Sequence, residues 1–236
     1  MVIAPSLLAA NFGLLAKETV RVGKSGADWL HLDIMDGHFV PNISFGPAVV
    51  KTVRPLSKLF FDVHLMCSKP EILLDPFCEA GADQLNIHVE LGEETVTKLI
   101  WKIRSLGKRV GLAINPPTHI SHTQPFLGKI DSLLIMTVNP GFGGQSFIYE
   151  TLPKIQQAAV WRRDRKLSFN IGVDGGVDFK TVADCARVGA DTFISGTALF
   201  KQRQMAAAVK KLRRIAELAK PPAPEVQTAA FSTQLL

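Results

Sequence analysis

Short apolar runs alternate along the chain with longer stretches in which apolar residues recur at helical spacing. The runs fall at residues 2–7, 29–35, 59–65, 84–89, 109–114, 132–138, 168–174 and 191–195, with helices expected between most of them. Each run is nearly all apolar, as parallel strands covered on both faces are. Three fragments, SGADWLHLD, AGADQLNIHVE and VGADTFISG, place Gly-Ala-Asp ahead of such a run, the pattern of a glycine closing a helix before a buried strand. Their glycines, Gly26, Gly81 and Gly189, lie 55 and 108 residues apart, which is two and four copies of a unit of roughly 27 residues. Eight such units predict a single-domain (β/α)8 TIM barrel over 1–220; a doubly wound open sheet, the alternative, usually carries fewer strands. Beyond Lys220, PPAPEVQTAAFSTQLL holds three prolines and no period, so 221–236 reads as a flexible C-terminal tail.

Barrel active sites sit at the C-terminal ends of the strands. Side chains at i, i+2 and i+4 of a strand share a face. HLDIMDG therefore puts His31, Asp33 and Met35 together, DVHLM does the same for Asp62, His64 and Met66, and NIGVDGG for Asn170, Gly172 and Asp174. A single His or Asp in an apolar strand is ordinarily a hydrogen-bonded core residue. Four at matching strand ends suggest a bound cation, which would offset the several kcal/mol that each uncompensated buried carboxylate costs. Two imidazoles with two carboxylates suit one divalent cation (Zn, Fe, Mn or Co). Asp62 reads as an outer partner orienting His64.

Two loops carry an independent phosphate signal. Gly175 and Gly176 follow the seventh strand, and Gly196 and Thr197 follow the eighth, each ahead of a helix; barrels often hold phosphate there. After the sixth strand, NPGFGGQSF places Gly141, Gly143 and Gly144 around Phe142, either as a long turn or as a lid over substrate. Met35, Met66 and Met136 near strand ends serve either as core filler or as a low-polarity wall of the site.

The 236 residues are 47% apolar, enough for one substantial core, which excludes disorder and a disulfide-stapled miniprotein. A net charge of +6 favours an anionic partner without choosing one. Lys210, Lys211, Arg213 and Arg214 read as a solvated helix face, because Val209, Leu212, Ile215, Ala216 and Leu218 supply a stripe to bury. No aromatic residues interleave for base stacking, so no nucleic-acid partner is expected. Cys67, Cys78 and Cys185 are odd in number and lack a CxxC pair, which points to a reducing cytoplasm. The start, MVIAPSLLAANFGLLA, has no preceding positive charge and is interrupted by Pro5, Asn11 and Gly13, so it reads as a strand entering a helix. No window of 18 apolar residues exists, and no membrane span is expected. His38, His88, His119 and His122 read as structural or exposed, with His38 bordering the site.

HLDIMDGHFVPNISFGP, DVHLM, NPGFGGQSF, VDGGV and SGTALF resemble, in order and spacing from about residue 2 to residue 218, the signature segments of the ribulose-phosphate 3-epimerase family. The resemblance implies a cation-dependent interconversion of D-ribulose 5-phosphate and D-xylulose 5-phosphate through a cis-enediolate. It also implies a homo-oligomer, dimer or hexamer. By position it places the cation on His31, Asp33, His64 and Asp174 and the acid/base pair on Asp33 and Asp174. It puts substrate contacts on Ser6, His64, Gly141, Phe142, Gly143, Gly144, Asp174, Gly175, Gly176, Gly196 and Thr197, with the three methionines near the reacting carbons. Thr197 stands where many members have Ser, and the motifs offer no counterpart for the stretch past Lys220. An epimerase of another ketose phosphate, such as allulose 6-phosphate, would use identical chemistry. The metal-free decarboxylases of sister barrels need a DxKxxD segment, but Met35 and His64 stand where its lysine would fall.

Overall fold

A computed structural model of the chain describes residues 1–221, so the expected tail, Pro221 apart, lies outside the described residues. Eight strands occupy Val2–Pro5 (β1), Trp29–Met35 (β2), Phe60–Met66 (β3), Gln84–His88 (β4), Arg109–Ile114 (β5), Ser132–Met136 (β6), Asn170–Asp174 (β7) and Thr192–Ser195 (β8). Strands β2 to β8 pair in parallel in chain order and β8 lies against β1. A bridge from Ser6 to His31 then closes the barrel between β1 and β2. Around it lie Leu15–Gly23 (α1), Pro47–Val53 (α2), Leu74–Glu79 (α3), Glu93–Ser105 (α4), Leu152–Asp164 (α5), Thr181–Arg187 (α6), Thr197–Phe200 (α7) and Met205–Ala219 (α8). The expected barrel, not the open sheet, is the fold. Between β5 and β6 the chain makes 3-10 turns over Ile120–Phe126 in place of an α-helix; Pro125, which has no N–H to give, lies inside them. The first strand ends earlier than expected because Ser6 caps the turn Leu7–Ala9, its Oγ accepting from Leu8 N–H.

Alternation along the strands sorts residues by face. Leu30, Leu32, Ile34, Val63, Leu65, Ile87, Ile135 and Val173 point outward into the main core, against helix stripes such as Val96, Leu99, Ile100 and Ile103 of α4. In α8 the expected stripe buries Val209, Leu212 and Ala216, but Leu218 is 77% exposed, so the stripe ends before it. The inward positions are largely polar, with His31, Asp33, Asp62, His64, Gln84, Asn86 and His88 all buried. Gly111 belongs to this interior because a Cβ there would stand 1.7 Å from Asn86 Oδ1. Its absence lets Asn86 donate to Asp62 at 2.6 Å.

The Gly-Ala-Asp echo marks the N-terminal end of the barrel. Gly26, Gly81 and Gly189 have φ of +79°, +103° and +114°, the left-handed conformation that follows a helix and disfavours a side chain. The aspartates that follow accept backbone N–H groups of the neighbouring odd strand: Asp28 from Ile3 (2.7 Å), Asp83 from Phe61 (2.7 Å) and Asp191 from Ile171 (3.0 Å). Asp131, which has no Gly-Ala before it, does the same for Val110 at 2.7 Å. Arg213, Arg54, Arg162 and Arg104 pair with Asp28, Asp83, Asp191 and Asp131 in that order. Each arginine comes from the segment after one even strand and each aspartate from just before the next, so four clasps hold this end. The opposite end is left for chemistry.

Candidate active site

Parallel register decides which polar side chains meet. His31 lies beside Asp62, Asp33 beside His64, and Met35 beside Met66, while Met136 lies beside Asp174 across β6 and β7. At the barrel mouth Asp33 Oδ1 stands 3.2 Å from both His31 Nε2 and His64 Nδ1. Asp174 Oδ2 approaches the same two nitrogens at 3.8 and 3.7 Å. One ligand atom from each of the four lies within 4.8 Å of the others, a grouping that can hold a cation. All donors are imidazole nitrogen or carboxylate oxygen, which fits the borderline divalent metals.

The surroundings set the charges unevenly. Burial by itself would push the Asp33 carboxyl up, but the His31 and His64 rings outweigh it and hold Asp33 well below the usual carboxylate range. Burial and then the charge on Asp33 push Asp174 the other way, above its ordinary value. Burial would lower His31, yet Asp33 and Asp62 raise it well above the usual imidazole range. His64 is pushed down to about 4, chiefly by burial. The result is a pair of neighbouring carboxylates with divided affinities for a proton. Ser6 Oγ donates to Asp33 Oδ2 at 2.5 Å and fixes its orientation.

Above the four residues opens a cavity of ≈ 580 Å³. Asp33, Asp174, Ser6 and all three methionines line it, as do the Gly141–Gly144 stretch with Phe142, Gly175, Gly176, Gly196 and Thr197. His31 and His64 are fully buried behind the two carboxylates and do not line it. Gly175 (φ +109°) and Gly176 (φ +65°) are confined tightly: a Cβ would fall 2.3 Å from Val138 Cγ2 at the first and 2.7 Å from Phe147 N at the second. The loop after β6 is tied down at two points. Gln145 Nε2 donates to Asn139 O and Phe142 O, and Asn42 Nδ2 from the loop after β2 donates to Gly141 O at 2.7 Å.

Two expectations change. Asp62 orients His31, not His64: its Oδ2 accepts from His31 Nδ1 at 2.8 Å, because register sets Asp62 opposite His31. His64 turns its Nε2 instead to His88 Nε2, 2.8 Å away, so His88 is a buried neighbour of the site. The alternation in QLNIHVE, which puts Gln84, Asn86 and His88 on one face, is the signal that could have found it. His38, by contrast, bonds only to Asp36 of its own loop, its backbone N–H to the carboxylate and its Nδ1 to the carbonyl oxygen, and is exposed. Among the described residues no helix is long and apolar enough to cross a membrane.

The model of the Ribulose-phosphate 3 epimerase family matches residues 2–200. The chain is 42% identical over 229 residues to a ribulose-phosphate 3-epimerase of Synechocystis, covering 97% of this chain and 98% of that one. A match of that length extends past Lys220, where the motifs offered no counterpart. It is 39% identical over 215 residues to the chloroplastic ribulose-5-phosphate-3-epimerase of Arabidopsis thaliana, covering 90% and 76% of the two chains. The 3-keto-L-gulonate-6-phosphate decarboxylase of Vibrio cholerae shares the fold, with a TM-score of 0.68 at 16% identity over 94% of this chain and 99% of that one. With the family matched across most of its length and two curated relatives near 40% identity, the chain belongs to the ribulose-phosphate 3-epimerase family.

Proposed function

We propose that the chain interconverts D-ribulose 5-phosphate and D-xylulose 5-phosphate, with Asp33 and Asp174 as its acid/base pair and one divalent cation held by His31, Asp33, His64 and Asp174. The observation that carries this reading is the meeting of two aspartates, from strands on distant sides of the barrel, at the floor of one cavity. The proton on C3 of the sugar is a weak acid beside a C2 ketone, and inversion needs one group to take it and another to return a proton on the opposite face. A bound cation would supply Lewis-acid stabilisation of the charge that develops on the ketone oxygen, worth several kcal/mol. Asp33 and Asp174 reach the cavity floor from different strands, so that one can take the proton and the other return one. In the reverse direction the roles exchange. Met35, Met66 and Met136 keep the space between the carboxylates free of competing donors. Gly175, Gly176, Gly196 and Thr197 supply a rim without bulk for the phosphate, and the Gly141–Gly144 loop covers the sugar. Homo-oligomeric assembly and a cytoplasmic location are proposed with it, supported by family membership alone.

The test is turnover of ribulose 5-phosphate beside a panel that includes allulose 6-phosphate, before and after chelation, for wild type, Asp33→Asn and Asp174→Asn. Each variant is expected to lose at least about 100-fold in kcat, the usual contribution of a general acid or base. Unchanged activity in either variant would remove the mechanism, and a preference for the hexulose phosphate would move the substrate.

A further inference from the structure

His64 and His31 face the centre through different nitrogens, Nδ1 and Nε2, and each has a buried partner behind it. For His31 the partner is the Asp62 carboxylate, which can only accept, so Nδ1 carries a proton and Nε2 is the nitrogen left to give its lone pair to a cation. For His64 the partner is another imidazole, which can donate or accept, so the pair by itself leaves the orientation undecided. His88 Nδ1 lies 3.0 Å from Glu90 Oε2. Glu90 Oε1 in turn accepts the backbone N–H of Asn115 at 2.8 Å. Both oxygens of Glu90 are therefore acceptors facing fixed donors, and one of those donors, a backbone N–H, cannot reverse. Burial would push the Glu90 carboxyl up, but its bond with His88 outweighs this and lowers it to about 2.

We propose that Glu90 and His88 are positioning residues that set the tautomer of His64 and so prepare it to bind the cation. Glu90 draws the proton of His88 to Nδ1. His88 Nε2 then offers its lone pair to the N–H at His64 Nε2, which leaves the Nδ1 lone pair of His64 for a cation. In the cation-free site that nitrogen stands 3.2 Å from Asp33 Oδ1, which can only accept, so the preference takes effect as a cation binds. The chain Glu90–His88–His64 thus does for one imidazole what Asp62 does directly for the other. Lys154, whose ammonium holds the carbonyl oxygens of Asn115, Pro116 and Thr118, secures the loop that presents the Asn115 N–H to Glu90. The inference rests on the cation site proposed above.

Glu90→Gln tests it with almost no change of shape. A glutamine must keep its oxygen on the Asn115 N–H, so its NH2 faces His88 Nδ1 and reverses the chain, leaving a proton on His64 Nδ1. Zn²⁺ and Co²⁺ affinity of the full chain is measured by chelator competition, with long-range ¹H–¹⁵N spectra reporting the histidine tautomers. In Zn²⁺-loaded wild type, His88 should carry its proton on Nδ1 and His64 on Nε2. In Glu90→Gln, cation affinity should fall by about 10- to 100-fold, the usual effect of losing an outer partner of a metal ligand. The cation-free variant should show a proton on His64 Nδ1 and melt like cation-free wild type. Affinity within twofold of wild type, or His88 doubly protonated in the loaded wild type, would overturn the inference and leave the cation site intact. Wild type that binds no cation at all would overturn both.

Discussion

Cation binding should expel protons from the site, and the number can be worked from its geometry. In the cation-free protein, His31 is bonded on both sides to carboxylates, Asp33 at 3.2 Å and Asp62 at 2.8 Å, and its pKa is raised well above the usual range. Its Nε2, the nitrogen that must become a ligand, therefore holds a proton more tightly than a free imidazole does. Asp174 is raised as well, by burial and by Asp33, and contributes a second proton toward the acidic side. Two protons balance two aspartates much as one divalent cation does, so the exchange leaves the buried charge unchanged. Each displaced proton makes the apparent affinity rise about tenfold per pH unit below its pKa, about 1.4 kcal/mol. Affinity should accordingly climb 10- to 100-fold per unit between about pH 6 and pH 7. Calorimetric titration of the chelated protein with Zn²⁺, repeated in buffers of different ionisation enthalpy, counts the protons directly; one to two are expected, and fewer at the acidic end for Asp174→Asn. Release of none, or an affinity that does not change with pH, would refute the charge assignment.

Three further outcomes are expected. Gly176→Ala asks an alanine to adopt φ +65° with its methyl 2.7 Å from Phe147 N, a cost of about 1–2 kcal/mol for the conformation alone. Because the displaced backbone belongs to the cavity rim, steady-state kinetics should show KM raised at least about tenfold and kcat changed less; an unaltered KM would separate this loop from the phosphate. Asp191→Ala leaves the Ile171 N–H without its acceptor and takes the carboxylate from Arg162, which keeps only the carbonyls of Phe169 and Gly189, and urea unfolding should report a loss of about 1–3 kcal/mol. Lys98→Ala, which breaks an exposed pair with Glu94, should stay within about 0.5 kcal/mol, and equal losses would contradict the clasp.

The barrel was legible because its signals are local. Apolar runs of strand length and left-handed glycines at a fixed period state the alternation of strand and helix before any contact forms. The inward residues of β2, β3 and β7 could be listed for the same reason, since a period of two fixes a side chain's face from the sequence of one strand. Hence Asp33, His31, His64 and Asp174 could be chosen together without knowing their distances.

What one strand cannot state is its register against the next. That register, not spacing along the chain, gave Asp62 to His31 and left His64 to His88, and it brought Asp131 into the ring of Asp–Arg clasps without a Gly-Ala to announce it. The divided proton affinities of Asp33 and Asp174 are likewise tertiary, since they arise from burial and from charges carried in on other strands. The amino-acid order thus determined which groups face the barrel interior, because strand geometry is set residue by residue. Only closure of the barrel decided which of them touch, because contacts between strands depend on a stagger that no single strand encodes.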